Sequence, residues 1–197
     1  MAVQVTGILL AGGKSTRMNC NKALLPCGPL TMLEKIVYEL HKSCTQVIIV
    51  AGENQYEFKD CLVIPDLHPD GGPLGGIYTG LRASKTEYNF CMACDMPRFK
   101  GELVNILAGK AAGYQVVVPQ VRGYYEPLLA LYHRSCLNVI EEVLKTGQRK
   151  IVAIYPYLKV KAVLHEEIAE KLGESEYFLN INTPEDWESY QGSFFKT

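Results

Sequence analysis

The sequence predicts an α/β fold in which helices cover both faces of a mostly parallel sheet. Three observations support this: apolar β-rich runs alternate with stretches of helical period, the runs are apolar on both faces, and the chain has 197 residues. Strands with one solvent-facing side would instead alternate apolar and polar residues. We therefore expect a single domain, residues 1–197, of compact α/β architecture.

The strands and helices follow each other in order along the chain. Strands are expected at the apolar runs 3–10, 46–50, 61–64, 88–93, 115–118, 127–132 and 159–164. Helices are expected at about 30–41, 75–84, 101–111, 134–145 and 183–190. The last helix has a clear start, because Thr183 is a good N-cap, Pro184 suits the first helical position, and Glu185 and Asp186 complement the helix dipole.

Residues 64–76, IPDLHPDGGPLGG, form the least regular part of the sequence. They contain three prolines and four glycines. A loop this long in a compact α/β domain is more often functional than incidental, so we expect a functional loop here.

Composition excludes several classes of protein. The formal net charge of −1 leaves no global basic field of the kind that nucleic-acid binders use. No apolar run approaches the roughly 18 residues that span a bilayer, and the N-terminus lacks the pattern of a signal peptide. We expect a cytoplasmic protein with neither nucleic acid nor membrane as a partner.

The distribution of the cysteines indicates packing in the core more than metal binding. Seven cysteines are scattered among apolar neighbours, as expected for core residues in a reducing compartment. Cys91 and Cys94 have CxxC spacing, but they lie in or next to a predicted strand without a second pair, so packing is the favoured interpretation and a metal or redox site the alternative.

The first candidate site is the stretch LAGGKSTRMNCNKALL, which follows the apolar run VTGIL. In doubly wound sheets, ligands bind outside the carboxyl ends of strands. Gly12 and Gly13 let main-chain N–H groups approach phosphate oxygens, while Arg17 can fork onto one phosphate and Lys22 can neutralise another. A plain glycine turn with solvated cations is the alternative, since the motif is neither a Walker A loop nor GxGxxG.

Asp95, in CMACDMP, directly follows a predicted strand. Pro97 prevents a regular ladder from continuing, which leaves the carboxylate at the carboxyl edge of the sheet. A single carboxylate suits Mg²⁺, which completes its shell with water and substrate phosphates. A helix cap near residue 100 is the alternative.

Three further polar residues are candidates for ligand binding. Asp66 also follows a strand, and a carboxylate can accept two hydrogen bonds from guanine N1–H and N2–H₂; turn formation beside Pro65 is equally open. Asn180 and Asn182 flank one residue at what we expect to be a strand end, so their amides would project on one side. They would bind a polar ligand or satisfy loop backbone.

Together, LLAGGKSTRMNCNKALL, PDGGPLGGIYTGL, MACDMPRF and FLNINTPEDW resemble the molybdenum cofactor guanylyltransferase family, the molybdopterin-guanine dinucleotide biosynthesis protein A type. The four segments span residues 9 to 187 in the same order, although the first motif alone is shared with sugar-nucleotide pyrophosphorylases. The resemblance implies a three-layer αβα, Rossmann-like sheet of the nucleotidyltransferase (nucleotide-diphospho-sugar transferase) type.

The resemblance also implies roles for individual residues. Leu10, Ala11, Gly12 and Gly13 would bind the nucleotide through the main chain, with base and ribose at the first three. Arg17 and Lys22 would bind the triphosphate, Asp66 would contact guanine, and Asp95 would hold Mg²⁺; Arg17, Lys22 and Asp95 form the expected catalytic set. Asn180 and Asn182 would bind the acceptor, and GYYEPLLALY would form a strand that lines the acceptor cleft.

By this resemblance the terminal phosphate of molybdopterin, or of molybdenum cofactor, attacks the α-phosphorus of GTP and pyrophosphate leaves. That phosphate is already largely dianionic at neutral pH, so no general base is required. The partners implied are GTP, the pterin acceptor, and transient contacts with other cofactor-biosynthesis proteins or apo-molybdoenzymes.

Two other hypotheses stay open. The same fold also serves nucleotidyltransferases with another base or acceptor, such as cytidylyl transfer to molybdopterin or nucleotidyl transfer to a sugar phosphate. A non-catalytic nucleotide-binding protein is the third, because Asn19 and Asn21 stand where the family usually has glycine and aspartate.

Overall fold

The computed structural model describes residues 3–12, 21–52, 57–173 and 177–192. Ten strands are present in these ranges: β1 Val5–Leu10, β2 Pro26–Cys27, β3 Leu30–Thr31, β4 Gln46–Ala51, β5 Leu62–Pro65, β6 Tyr88–Ala93, β7 Val116–Val121, β8 Tyr124–Tyr125, β9 Leu129–His133 and β10 Val160–Leu164. The α-helices are α1 Met32–His41, α2 Gly72–Ala83, α3 Glu102–Ala108, α4 Cys136–Lys145, α5 His165–Leu172 and α6 Pro184–Gly192. Short 3₁₀ turns cover Lys22–Leu24, Pro69–Gly71 and Ile151–Tyr157.

The main sheet is mixed but mostly parallel, as predicted. Its strands run in the order β10-β7-β9-β6-β1-β4-β5, with β8 paired to β7. The pairs β1–β4, β1–β6, β4–β5 and β7–β10 are parallel. Strand β9 is antiparallel to both of its neighbours, β6 and β7.

Each face of the sheet is covered by its own hydrophobic core. In β1, Leu9 contributes to one core while Ile8 and Leu10 contribute to the other, because successive side chains of a strand point to opposite faces. Helices α1, α3, α5 and α6 pack on the Leu9 side, which we call face A. Helices α2 and α4 and the turn Ile151–Tyr157 pack on the Ile8 side, face B. The three-layer αβα prediction is confirmed.

Helix α2 corrects the prediction of a long loop over 64–76. Only about half of that range is irregular, because α2 begins at Gly72 with a proline in its first turn. Two glycines of α2 serve close packing: a Cβ on Gly76 would approach Leu10 Cδ2 to 3.0 Å, and a Cβ on Gly80 would overlap the side chain of Ile8. These glycines bring α2 against the centre of β1.

Other differences concern weakly patterned segments. Helix α5 was not predicted, since Ile168 is its only fully buried residue and it shows no broad apolar face. Residues 179–182 lie in no strand, so the expected strand end there is wrong. Helix α6 begins as predicted: the amide of Asp186 donates to Thr183 Oγ1 at 3.2 Å.

No helix in the described part of the chain is both long and apolar enough to cross a bilayer.

Candidate active site

The topology creates a crevice at the carboxyl ends of β1 and β6. After β1 the chain adds β4 and β5 on one side and then returns to place β6 on the other, so strand order reverses at β1. Leu10 is in register with Ala93, and the amide of Cys94 donates to the carbonyl of Leu10 at 3.2 Å. Residues following these two strands therefore emerge side by side at the switch point, where open α/β sheets bind ligands.

Gly12 presents exposed backbone at this edge. Its neighbour Ala11 is buried, and the Ala11 amide donates to the Val50 carbonyl at 2.9 Å, which extends the sheet by one residue. A Cβ on Gly12 would approach the Gly52 nitrogen to 3.1 Å, so a larger residue would crowd the end of β4. The glycine thus keeps the main chain accessible beside β4.

Two of the sequence-predicted residues, Gly13 and Arg17, lie outside the described residues. Their assignment to nucleotide and triphosphate binding stays a prediction.

Asp95 lies immediately beyond β6 and is partly buried. Its Oδ1 atom is fully buried and has no hydrogen-bond partner within the described ranges. Burial raises the pKa of this carboxyl, while the nearby Lys22 ammonium acts in the opposite direction. A buried carboxylate oxygen without a donor is costly unless a cation or ligand satisfies it.

Asp95 does not cap a helix, so the alternative interpretation is wrong. Helix α3 begins at Glu102, and its N-cap Gly101 makes no side-chain cap. The amide of Gly101 instead donates to Glu39 Oε2 at 3.1 Å.

Lys22 is held on the other side of the crevice by the C-terminal segment. Its Nζ donates to the carbonyl of Ile181 at 2.7 Å and to Asn182 Oδ1 at 3.2 Å. Asn21 Oδ1 accepts from the amide of Ala23 at 3.1 Å and caps the turn Lys22–Leu24. An asparagine at 21 therefore still organises the backbone that presents Lys22.

The same C-terminal segment contacts Asp95. The amide of Ile181 donates to the main-chain carbonyl of Asp95 at 2.8 Å, and the Ile181 side chain is buried in the face A core. Asn180 Oδ1 is buried without a hydrogen-bond partner in the described part of the chain, whereas Asn182 is exposed. Residues 180–182 thus connect Asp95 and Lys22, which lie 73 positions apart in sequence.

Asp66 braces the loop that follows β5. Its Oδ1 accepts from the amide of His68 at 2.9 Å and from Thr79 Oγ1 at 2.7 Å. Thr79 Oγ1 in turn accepts from the amide of Leu67 at 3.0 Å. Sequence reasoning missed Thr79, which sits in α2 and connects the helix to this loop. The turn role of Asp66 is present, and its contact with guanine stays a prediction.

The CxxC cysteines pack on opposite faces of the sheet. Cys91 is buried in the face B core and Cys94 packs against the face A core. Burial raises the pKa of Cys94 to about 12, so its thiol stays protonated. Within the described ranges, no group of three or more histidine, cysteine, aspartate or glutamate side chains could hold a metal.

Comparison with known proteins identifies the family of this chain. The profile of the MobA-like NTP transferase domain matches residues 7–162. A probable molybdenum cofactor guanylyltransferase of Carboxydothermus hydrogenoformans is 39% identical over 184 residues, which is 93% of each chain. A probable molybdenum cofactor guanylyltransferase of Pelotomaculum thermopropionicum is 36% identical, covering 93% of this chain and 90% of its own.

A solved structure gives the same result for the fold. The crystal structure of molybdopterin-guanine dinucleotide biosynthesis protein A from Archaeoglobus fulgidus superposes with a TM-score of 0.84 at 28% identity, covering 98% of this chain and 100% of that one. The resemblance seen in the four sequence segments is confirmed, and this chain belongs to the MobA-like NTP transferase family.

Proposed function

We propose that this protein transfers GMP from GTP to the terminal phosphate of molybdopterin or molybdenum cofactor. Attack by a phosphate oxygen on the α-phosphorus forms one P–O bond, the bond to the β-phosphate breaks, and pyrophosphate leaves with its electron pair. The names and high coverage of the relatives support this reaction. The main structural support is Asp95, whose buried oxygen lacks a donor and whose neighbour Lys22 is held beside it by residues 180–182.

The residues present fit a hard divalent cation. Asp95 Oδ1 and Asn180 Oδ1 are both buried acceptor oxygens that no described donor satisfies. Mg²⁺ takes oxygen ligands and commonly uses one or two protein groups plus water and phosphates. Asp95 would hold the ion, and the Asn180 oxygen is available to the ion or to one of its waters. When bound, Mg²⁺ would neutralise phosphate charge and help align the α-phosphate.

The protein's own contribution is binding and alignment. Lys22 supplies positive charge beside the phosphates, and Gly12 offers exposed main chain for the nucleotide. The acceptor phosphate enters as a nucleophile that needs no proton removed at neutral pH. The transfer reaction therefore does not require a Ser/His/Asp catalytic triad in the site.

The proposed reaction is consistent with the expectations from the sequence for location, protein partners and acceptor-binding residues. GTP is a cytosolic nucleotide, which fits an enzyme acting in the cytoplasm. The dinucleotide product has to be delivered to molybdoenzymes, which fits transient contacts with other cofactor-biosynthesis proteins or with the apoenzymes. Asn180 and Asn182 stay candidate acceptor-binding residues, with Asn182 also contacting Lys22.

Pyrophosphate release from purified protein, molybdopterin and each of GTP, CTP, UTP and ATP tests the proposal. We expect turnover with GTP that requires Mg²⁺ and is abolished in Asp95→Ala. Preferred turnover with CTP would replace the proposal with the cytidylyl alternative, and turnover with a sugar phosphate instead of molybdopterin would replace the acceptor. Nucleotide binding without pyrophosphate release would indicate the non-catalytic alternative.

A further inference from the structure

Glu126 is a partly buried carboxylate that the proposed chemistry does not use. Burial raises its pKa, and no cation or donor among the residues that the structure describes counteracts that effect. Its side chain forms no hydrogen bond or ion pair with any residue in the described ranges. A carboxylate in this condition is a candidate for binding a ligand that brings its own donors.

The register of β6 and β9 places Glu126 at the same sheet edge as Asp95. Met92 pairs with Leu129 at the end of this antiparallel ladder, and Glu126 lies just beyond Leu129, at the edge where β6 ends before Asp95. The regular ladder ends before that point, because Glu126, Pro127 and Leu128 form a turn closed by the Leu129 amide and the Glu126 carbonyl at 3.1 Å. Such irregularities often re-aim a side chain beside an active site.

Glu126 also belongs to a hairpin that extends the sheet edge. Its amide donates to the Pro119 carbonyl at 2.9 Å, continuing the β7–β8 pairing of Gln120 with Tyr125. The turn of this hairpin has positive φ at Arg122 (51°) and Gly123 (85°). The hairpin therefore flanks the crevice on the side away from β4 and β5.

Strand alternation assigns Glu126 to face A. Tyr125 packs on Tyr155, a face B residue, with ring centroids 5.3 Å apart. Tyr124 and Glu126, on either side of Tyr125, therefore point to the opposite face. Ile181 is buried on that same face, so Glu126 and the segment 180–182 lie on one side of the sheet.

Charge excludes the phosphates as the partner of Glu126. Both substrates of the proposed reaction carry several negative charges at their phosphates, and an uncompensated carboxylate facing them would be repulsive. The pyrimidine ring of a pterin, by contrast, carries an N–H and an adjacent amino group, which a carboxylate accepts as a bidentate pair. The guanine of GTP has the same donors, but under the proposed function it lies towards β4 and β5, where Gly12 and Asp66 are.

We infer that Glu126 determines acceptor specificity by accepting hydrogen bonds from the N–H edge of the pterin ring, with exposed Tyr124 as an adjacent aromatic surface. Tyr124 shares the strand face of Glu126 and has 77% of its surface exposed. The inference deepens the proposed function and rests on it. Neighbouring strands are about 5 Å apart, so the connection between β8 and β9, one or two strands from β6, lies roughly 5 to 10 Å sideways from Asp95, within reach of a phosphorylated pterin.

The decisive variant is Glu126→Gln, which keeps the size of the side chain but replaces one acceptor oxygen with an N–H₂ group. We expect the KM for molybdopterin to rise by about tenfold or more, because a donor would then face a donor, while the KM for GTP stays within twofold. The matched control is Glu170→Gln, at an exposed position on α5, which should change neither constant. An unchanged KM for molybdopterin, or an equal rise for both substrates, would overturn the inference.

A binding measurement separates this inference from the proposed function. Titration of 6-hydroxymethylpterin, which carries the ring edge but no phosphate, requires no turnover. We expect wild-type protein and Glu170→Gln to bind this probe equally, and Glu126→Gln and Tyr124→Ala to bind it more weakly. Equal binding by wild type and Glu126→Gln, or no binding by wild type, would overturn the role of Glu126. Absence of GMP transfer by wild type would instead overturn the proposed function.

Discussion

Replacing Asn182 with alanine should weaken GTP binding, because Asn182 holds the lysine that we assign to the triphosphate. Lys22 Nζ makes two hydrogen bonds in this structure, to the Ile181 carbonyl at 2.7 Å and to Asn182 Oδ1 at 3.2 Å. The substitution removes the second and leaves the first. Lys22 would then sample more rotamers, and GTP would have to restrict them on binding.

The expected size of the effect follows from the geometry of that contact. A hydrogen bond to a charged group contributes about 1.5–3 kcal/mol when protected from water. Asn182 is exposed and its bond is the longer of the two, so the value must be reduced for competition with solvent to about 1 kcal/mol. That corresponds to roughly fivefold weaker GTP binding.

Isothermal titration with GTP and Mg²⁺ measures this change directly, and steady-state kinetics with both substrates locates it. Asn138→Ala is the matched control, since Asn138 is exposed on α4 and makes none of the site contacts. Unchanged GTP affinity together with a raised KM for molybdopterin would show that Asn182 does not position Lys22 for the triphosphate. Asn182 would then serve the acceptor, as the sequence resemblance implies.

Three further substitutions test the metal site, the base contact and the packing of α2. Asp95→Ala should reduce turnover by at least about 100-fold and abolish the Mg²⁺ dependence of GTP binding, because the main metal anchor is lost. Asp66→Ala should relax the preference for GTP over ATP more than it slows transfer, since an unpaired guanine edge is the missing interaction. Gly80→Ala should destabilise the fold by about 1–3 kcal/mol, because its Cβ would overlap Ile8; Gly109→Ala, with its nearest contact at 3.4 Å, should stay within about 0.5 kcal/mol.

Each of these has an outcome that would count against it. Wild-type turnover in Asp95→Ala would remove the metal assignment. Equal losses with every nucleotide in Asp66→Ala would leave only the loop-bracing role that its bond to Thr79 already shows. Thermal unfolding of Gly80→Ala at the wild-type temperature would mean that α2 shifts away from β1 without cost.

The sequence predicts the sheet well because its strands are continuous apolar runs. Strand β6, for example, is predicted and observed at the same bounds, Tyr88–Ala93. Turn chemistry is equally local, and the capping of α6 by Thr183 could be predicted from residue types alone. Such features depend on neighbours within a few residues.

Elements whose residues are explained only by tertiary packing could not be predicted from the sequence. The glycines of α2 look like loop residues locally, and only the approach of the helix to β1 explains them. Helix α5 is short and buries only Ile168 completely, so its sequence carries little of the apolar content by which a core-facing helix is recognised.

The candidate site also has a part that local sequence predicts and a part that depends on long-range contacts. Asp95 could be proposed from its place after a strand and before Pro97, which is local information. The bond between Lys22 and Asn182 joins residues 160 positions apart, and no spacing rule reaches that far. The unpaired state of Glu126 likewise depends on what the folded chain leaves near it.

GMP transfer can be measured directly by following the guanine dinucleotide formed from GTP and molybdopterin together with the pyrophosphate released. We expect one pyrophosphate per dinucleotide formed, dependence on Mg²⁺, and at least a tenfold preference for GTP over CTP. Preference for CTP, or GTP binding without any transfer to molybdopterin, would contradict the proposed guanylyl transfer.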